Sequence, residues 1–203
     1  LEDIKSKITS RTKGIVVINP NNPTGSVYPR HILQQIVDVA REHELVVFTD
    51  EIYEKIIYDG AEAINLATLT GDDVLCLTFS GLSKAYRVCG YRAGWVAITG
   101  PKHEAANYIE GITLLASMRL CSNVPAQHAI QTALGGYQSI DALVAPGGRL
   151  HEQRDVAYRM LNEIDGISCN QSDGALYLFP KVDTEKFNIV DDEKFMLDLL
   201  KEQ

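Results

Sequence analysis

Phe79-Ser80-Gly81-Leu82-Ser83-Lys84-Ala85-Tyr86-Arg87-Val88-Cys89-Gly90-Tyr91-Arg92-Ala93-Gly94-Trp95 decides how the rest of the chain is read. A buried-looking run, Val74-Leu75-Cys76-Leu77-Thr78-Phe79, delivers one lysine into a loop of small residues. Eight residues later an arginine lies between Gly90 and Gly94, and a second apolar run, Trp95-Val96-Ala97-Ile98, follows. An amine desolvated at the mouth of a sheet suits covalent chemistry with a carbonyl. A lone lysine is ordinarily a solvated one. The reading therefore depends on what else reaches the same place.

Working outward, the neighbouring segments alternate. Leu1, Ile4 and Ile8 share one helical face, with Glu2 and Asp3 in the first turn. Gly14-Ile15-Val16-Val17-Ile18 is short, apolar and β-branched, the pattern of a buried parallel strand. It ends in Asn19-Pro20-Asn21-Asn22-Pro23-Thr24-Gly25, a strong turn signal. Ile32, Leu33, Ile36, Val37 and Ala40 then mark an amphipathic helix. Leu45-Val46-Val47-Phe48-Thr49 reads as a second strand, with Asp50 at its end. A helix between two such strands is a βαβ unit. The expected fold class is α/β, a mostly parallel sheet with helices on both faces.

From Pro101 the character changes. Residues 102–119, 123–136 and roughly 149–164 read as helices, the last after a Pro146-Gly147-Gly148 step. Ile167-Ser168-Cys169 and Ala175-Leu176-Tyr177-Leu178-Phe179 flank Ser172-Asp173-Gly174 like strands of a small sheet. A final helix opens at Asp191 and Asp192. The boundary is placed at residue 145. Residues 1–145 are the end of a large domain, and 146–203 begin a smaller α+β C-terminal one.

Composition narrows the function classes. The 203 residues are 45% hydrophobic and 23% charged, ordinary for a globular chain. A net charge of -8 argues against a nucleic-acid or anionic-membrane surface. No apolar run approaches spanning length, and no signal-peptide pattern is present. Cys76, Cys89, Cys121 and Cys169 show no C-x-x-C spacing, and Cys76 falls in a buried strand, so reduced cytoplasmic thiols are expected. The five histidines have no metal-ligand spacing. The arginines at 119, 149, 154 and 159 read as solvated or ion-paired. The ends at Leu1 and Gln203 give the expectation that the chain is a piece of something longer.

In an open parallel sheet, ligands sit beyond the carboxyl ends of the strands, and three such ends here carry Asn22, Asp50 and Lys84. Asp50-Glu51-Ile52-Tyr53 adds a phenol close to a carboxylate, one turn apart if the segment is helical. Alone, Asp50 also reads as a helix N-cap and Tyr53 as a packing residue.

Taken together, Asn22-Pro23-Thr24-Gly25, Asp50-x-x-Tyr53, Ser83-Lys84 and Gly90-Tyr91-Arg92-x-Gly94 resemble the fold type I pyridoxal-phosphate-dependent aminotransferases. The resemblance runs through essentially the whole chain. Asn19–Gly25, Gly81–Val88 and Ser117–Gln127 look most like bacterial glutamate–pyruvate (alanine) aminotransferases. It implies a pyridoxal-phosphate-dependent transferase-like fold and pyridoxal 5'-phosphate as cofactor. It further implies an amino acid and a 2-oxo acid as substrates, and a cytoplasmic homodimer serving amino-acid metabolism. Lys84 would carry the cofactor covalently and then shuttle a proton between substrate carbon and cofactor carbon. Asp50 would pair with the pyridine nitrogen and keep it protonated. Tyr53 and Asn22 would donate hydrogen bonds to the ring's phenolic oxygen, and Asn22 would also reach the substrate carboxylate. Arg92 would clamp the phosphate, a task suited to its planar fork. The Asn22–Pro23 peptide is a candidate for cis.

The sequence also departs from the pattern. Many relatives place a hydroxyl three residues before the lysine, where this chain has Gly81. Ser80 and Ser83 are the nearest substitutes, and Ser83 is the one assigned to the cofactor. Met118 stands where dicarboxylate-specific relatives have an arginine, which disfavours an aspartate aminotransferase. Ser122-Asn123 resembles a segment that reaches a neighbouring subunit's site. The family's glycine-rich phosphate cup is expected before Leu1 and its substrate-binding arginine after Gln203. The reading at this stage is transamination between alanine and 2-oxoglutarate. A lyase on the same fold and a cofactor-sensing domain of a regulator remain alternatives.

Overall fold

β-Branched, apolar runs bounded by turn residues become strands where both faces of the chain find partners. In the computed structural model, which describes residues 1–202, β1 (Gly14–Ile18), β2 (Val46–Asp50) and β3 (Cys76–Gly81) run parallel. Strand β4 (Gly94–Thr99) returns antiparallel along β3, giving the order β1-β2-β3-β4. Ile18 pairs with Asp50 and Asp50 with Phe79, so the carboxyl ends of the three parallel strands share one edge.

The two faces of this sheet differ. Val17, Val47 and Cys76 point into a core with Leu33, Ile36, Val37 and Ala40 of α2 (Arg30–Glu42). Ile4 and Ile8, at α1 (Glu2–Lys7), and Leu69 of α3 (Ala67–Thr70) pack on the same core. Burying each large aliphatic side chain there contributes about 1.5–3 kcal/mol. The opposite face presents Val16, Phe48, Phe79 and Val96, and all but Phe48 are exposed. That second face is the floor of the cavity described below.

Two glycines pinch β3 and β4 together where the lysine loop begins. Gly81 pairs with Gly94, and a Cβ on Gly81 would lie 3.0 Å from the Ala93 carbonyl oxygen. A side chain at the position three before Lys84 would need these neighbours to give by a few tenths of an ångström. On the far side of the sheet, the Asn19–Gly25 turn contains two cis peptides, Asn19–Pro20 and Asn22–Pro23. Asn21 Oδ1 accepts from Thr24 N at 3.2 Å and from Thr24 Oγ1 at 2.7 Å, closing the turn on itself.

Gly25 has φ +71, and a Cβ there would stand 2.5 Å from Ser172 Cβ and 2.7 Å from the Tyr177 carbonyl oxygen. Gly25→Ala is therefore expected to cost at least about 1 kcal/mol of unfolding free energy. Urea denaturation reads this directly, and an unchanged midpoint would contradict the contact.

Beyond the sheet the chain is mainly helical, with α4 (Ala106–Met118), α5 (Val124–Gly135), α6 (Ser139–Val144) and α7 (Arg149–Asn162). Helix α4 starts four residues later than its periodicity implies, because Lys102–Ala105 form turns after Pro101. The short α6 lies in a stretch the sequence left without a helix. Asp191 caps α8 (Asp192–Lys201) by accepting from Lys194 N at 2.9 Å.

One strand expectation is corrected. Ile167–Ser168 is a strand, β5, but its antiparallel partner is β6, Lys181–Val182. Ala175–Phe179 forms no ladder. Ala175 sits at φ +57, which breaks an extended chain, and its N–H is committed to Ile56 O at 2.8 Å.

Candidate active site

The loops that leave the carboxyl ends of the three parallel strands enclose a cavity of about 640 Å³. Asn22, Asp50, Tyr53, Ser83, Lys84 and Arg92 all line it, with Val16, Ile18, Phe48, Ile52, Phe79, Ser80 and Cys89. Every site residue picked from the sequence is thus brought to one place.

Each is positioned by its own local structure. Lys84 follows Leu82 and precedes Ala85, both buried, so the loop is anchored on either side of the amine. Leu82 N donates to Ala93 O at 3.1 Å and Arg87 N to Lys84 O at 3.0 Å. Lys84 Nζ lies 5.8 Å from the centroid of the Tyr53 ring. Asp50 ends β2, and its Oδ1 accepts from Ile52 N at 3.1 Å. That bond makes a local turn in place of a helix N-cap, and residues 52–55 continue as turns. Tyr53 therefore does not follow Asp50 by a helical turn. It is 2% exposed, packed with Ile56, Tyr58, Ile140 and Ala175.

At the other end of the cavity, Arg92 Nη1 donates to Cys89 O at 2.8 Å and to Ser83 Oγ at 3.4 Å. Its backbone is left-handed, φ +51, after the short 3-10 turn Cys89–Tyr91. None of the ion pairs among the described residues involves Lys84, Arg92 or Asp50. Two cationic side chains and one carboxylate thus face a shared space with their charges uncommitted.

The sequence profile described as Aminotransferase class I and II matches residues 1–203. The chain belongs to the class I and II aminotransferases. It is 65% identical over 200 residues to the alanine aminotransferase of Mycobacterium tuberculosis H37Rv, covering 98% of this chain and 46% of that protein. It is 60% identical to the glutamate-pyruvate aminotransferase AlaA of Escherichia coli K12, covering 98% and 49%. Among solved structures, an aminotransferase from Escherichia coli superposes with a TM-score of 0.96 at 60% identity, over 98% of this chain and 49% of that one. An alanine aminotransferase from Pyrococcus furiosus gives 0.84 at 43% identity, over 90% and 45%. The chain spans about half the length of the relatives it matches.

Class I and II aminotransferases use pyridoxal 5'-phosphate, and the donor set of this aminotransferase chain fits that group. A guanidinium with no carboxylate partner, beside a hydroxyl, matches a phosphate. A carboxylate lining the same cavity matches a protonated ring nitrogen, and the lysine amine there matches an aldehyde carbon.

Two residues near the site carry features the sequence reading passed over. Tyr177 reaches Tyr53, hydroxyl to hydroxyl, with ring centroids 5.5 Å apart at 79°. Burial foremost, with the charge of Asp50 adding to it, pushes the Tyr53 phenol up from its usual range. Glu51, beside Asp50, is 2% exposed. Its Oε1 accepts from Leu66 N at 2.8 Å and Thr49 Oγ1 at 3.2 Å, while Oε2 has no partner among the described residues.

Burial pushes the Glu51 carboxyl up to about 7, against the two hydrogen bonds that pull it down. The sign follows from linkage. A carboxyl that holds its proton more tightly in the folded state stabilises fully below its unfolded value and loses that contribution as pH rises through about 7. The urea midpoint of the protein is thus expected to fall across that window by more than that of Glu51→Gln, whose amide keeps an acceptor but does not ionise. Parallel pH profiles for the two would contradict the assignment.

Proposed function

We propose that the protein is a cytoplasmic, homodimeric aminotransferase that moves the amino group of L-alanine to 2-oxoglutarate, giving pyruvate and glutamate. The observation that carries this reading is the single cavity shared by Lys84, Asp50, Tyr53, Asn22, Ser83 and Arg92. The substrate pair comes from the relatives named alanine aminotransferase and glutamate-pyruvate aminotransferase. The same reading divides the chain into a cofactor-domain portion, 1–145, and the start of a small domain, 146–203. The separate sheets β1–β4 and β5–β6 support that division. Exposed Leu114, Leu115, Met118 and Leu120 at the end of α4 support burial of that surface by further chain or a second copy.

When bound, pyridoxal phosphate supplies a carbonyl for the amine and a ring that takes up electron density. Arg92 and Ser83 would hold its phosphate. Asp50 would keep a proton on the ring nitrogen, which a fixed carboxylate can do without reorganising. Asn22 and Tyr53 would donate to the ring oxygen, and Asn22 would orient the substrate carboxylate. Lys84 Nζ, once released by the substrate amine, would take the α-proton and later return a proton, acting as base and then acid. Val16, Phe48 and Phe79 offer an apolar floor against which a planar ring would lie.

Stoichiometry in the holoenzyme tests the reading. Alanine and 2-oxoglutarate are expected to give pyruvate and glutamate one for one, without free ammonia. Ammonia release with unreacted 2-oxoglutarate would instead mark a lyase, and no turnover with any amino acid would mark a binding domain.

A further inference from the structure

Ser172–Tyr177 runs as a strap between the two turns that carry Asn22 and Tyr53. Toward the first, Gly174 N donates to Gly25 O at 2.9 Å, and Ser172 and the Tyr177 carbonyl press on Gly25. Toward the second, Tyr58 N donates to Asp173 O at 3.0 Å and Ala175 N to Ile56 O at 2.8 Å. Tyr58 Oη adds a bond to Ala175 O at 3.0 Å. Arg154, 7% exposed, donates to Ser172 O at 3.2 Å and stacks its guanidinium 4.5 Å from the Tyr58 ring centroid. Ala175, fully buried at φ +57, turns the chain so that Tyr177 meets Tyr53 edge to face. A strap fixed at so many points determines where the Tyr177 hydroxyl lies.

A phenol has one hydrogen to give and an oxygen that accepts. In a bonded pair, one hydroxyl donates to the other, and the second keeps its hydrogen for a third group. Tyr53 lines the cavity and Tyr177 does not. We propose that Tyr177 is a positioning residue whose hydroxyl donates to Tyr53 Oη, directing the Tyr53 hydrogen into the cavity toward the cofactor's ring oxygen. This rests on the aminotransferase reading above and adds a residue from beyond position 145 to it. Asp50 from the end of β2, Lys84 from the β3–β4 loop and Tyr177 from the strap are the titratable groups that face Tyr53.

Tyr177→Phe tests this because it keeps the ring and deletes one oxygen. In the holoenzyme it is expected to lower kcat roughly three- to tenfold with KM nearly unchanged, the loss of one hydrogen bond's orientation. The pH midpoint of the bound cofactor's absorbance is expected to move in the same direction as in Tyr53→Phe, by less, and the double variant to match Tyr53→Phe alone. A Tyr177→Phe enzyme identical to the unaltered one, or effects that add in the double variant, would overturn the proposal.

A second arm uses cofactor-free protein with ring-labelled tyrosine, the Tyr53 signal being the one lost in Tyr53→Phe. There Tyr177→Phe is expected to make Tyr53 ionise at higher pH, because a hydrogen bond donated to Tyr53 Oη stabilises its phenolate; an unmoved Tyr53 titration would overturn the contact itself, and a shift to lower pH the direction of donation. If that signal moves but Tyr53→Phe leaves the cofactor absorbance titration unchanged, the cofactor role of Tyr53 fails and the positioning role with it, while the tyrosine pair stands.

Discussion

Lys84→Ala is expected to lower transamination by at least about ten-thousandfold, the upper range for a positioned acid–base group. The cavity contains no second lysine that could take its place. Lys55, two residues after Tyr53, belongs to the turn there and lines a separate cavity with Asn19, Glu51 and Glu54. Arg92, farther along the same β3–β4 loop, and Asp50, at the end of β2, are expected to let the variant still bind pyridoxal phosphate while losing the covalent hold. Near-normal turnover in Lys84→Ala would remove the amine from the mechanism.

The next largest effect belongs to Asp50. Asp50→Asn keeps the shape at the end of β2 and can still accept from Ile52 N, so the turn there should survive. What it loses is the charge that holds a proton on the ring nitrogen, expected to slow the chemical step about a thousandfold, or about 4 kcal/mol. Tyr53→Phe removes one hydrogen bond to the ring oxygen, about 1.5–3 kcal/mol if that oxygen is anionic. Single-turnover rates rank the two, and equal losses would contradict the roles assigned to them.

Much of this arrangement is readable without coordinates, for a local reason. Strands β1, β2 and β3 are continuous apolar runs that stop abruptly at Asn19, Asp50 and Gly81. Parallel pairing then brings those three stops to one edge, so residues far apart in sequence converge because strand ends converge. Arg92 is legible through its glycine frame, of which Gly94 is required by the close approach to Ser80 and Gly81.

What stayed hidden depends on docking between distant segments. Tyr177 lies 124 residues from Tyr53, and within Ala175–Phe179 it looks like one side of a strand. Only the left-handed Ala175 and the bonds to Ile56 and Tyr58 redirect it, and nothing in the run's apolar pattern signals them. Glu51 was illegible for a related reason. An acidic residue beside another at a strand end looks solvated, yet the Leu66 amide and Thr49 hydroxyl hold it in the interior. Arg154 read as solvated or ion-paired; it is ion-paired with Asp59 and Asp155, but its burial against Tyr58 had no signal in the sequence.

Whether the amine at residue 84 carries the cofactor is read by borohydride reduction of the pyridoxal-phosphate-loaded protein followed by peptide mapping. A single stable adduct is expected on the peptide containing Ser83-Lys84-Ala85, absent in Lys84→Ala. An adduct concentrated on Lys55 or another lysine, or a loaded protein that yields none, would contradict it.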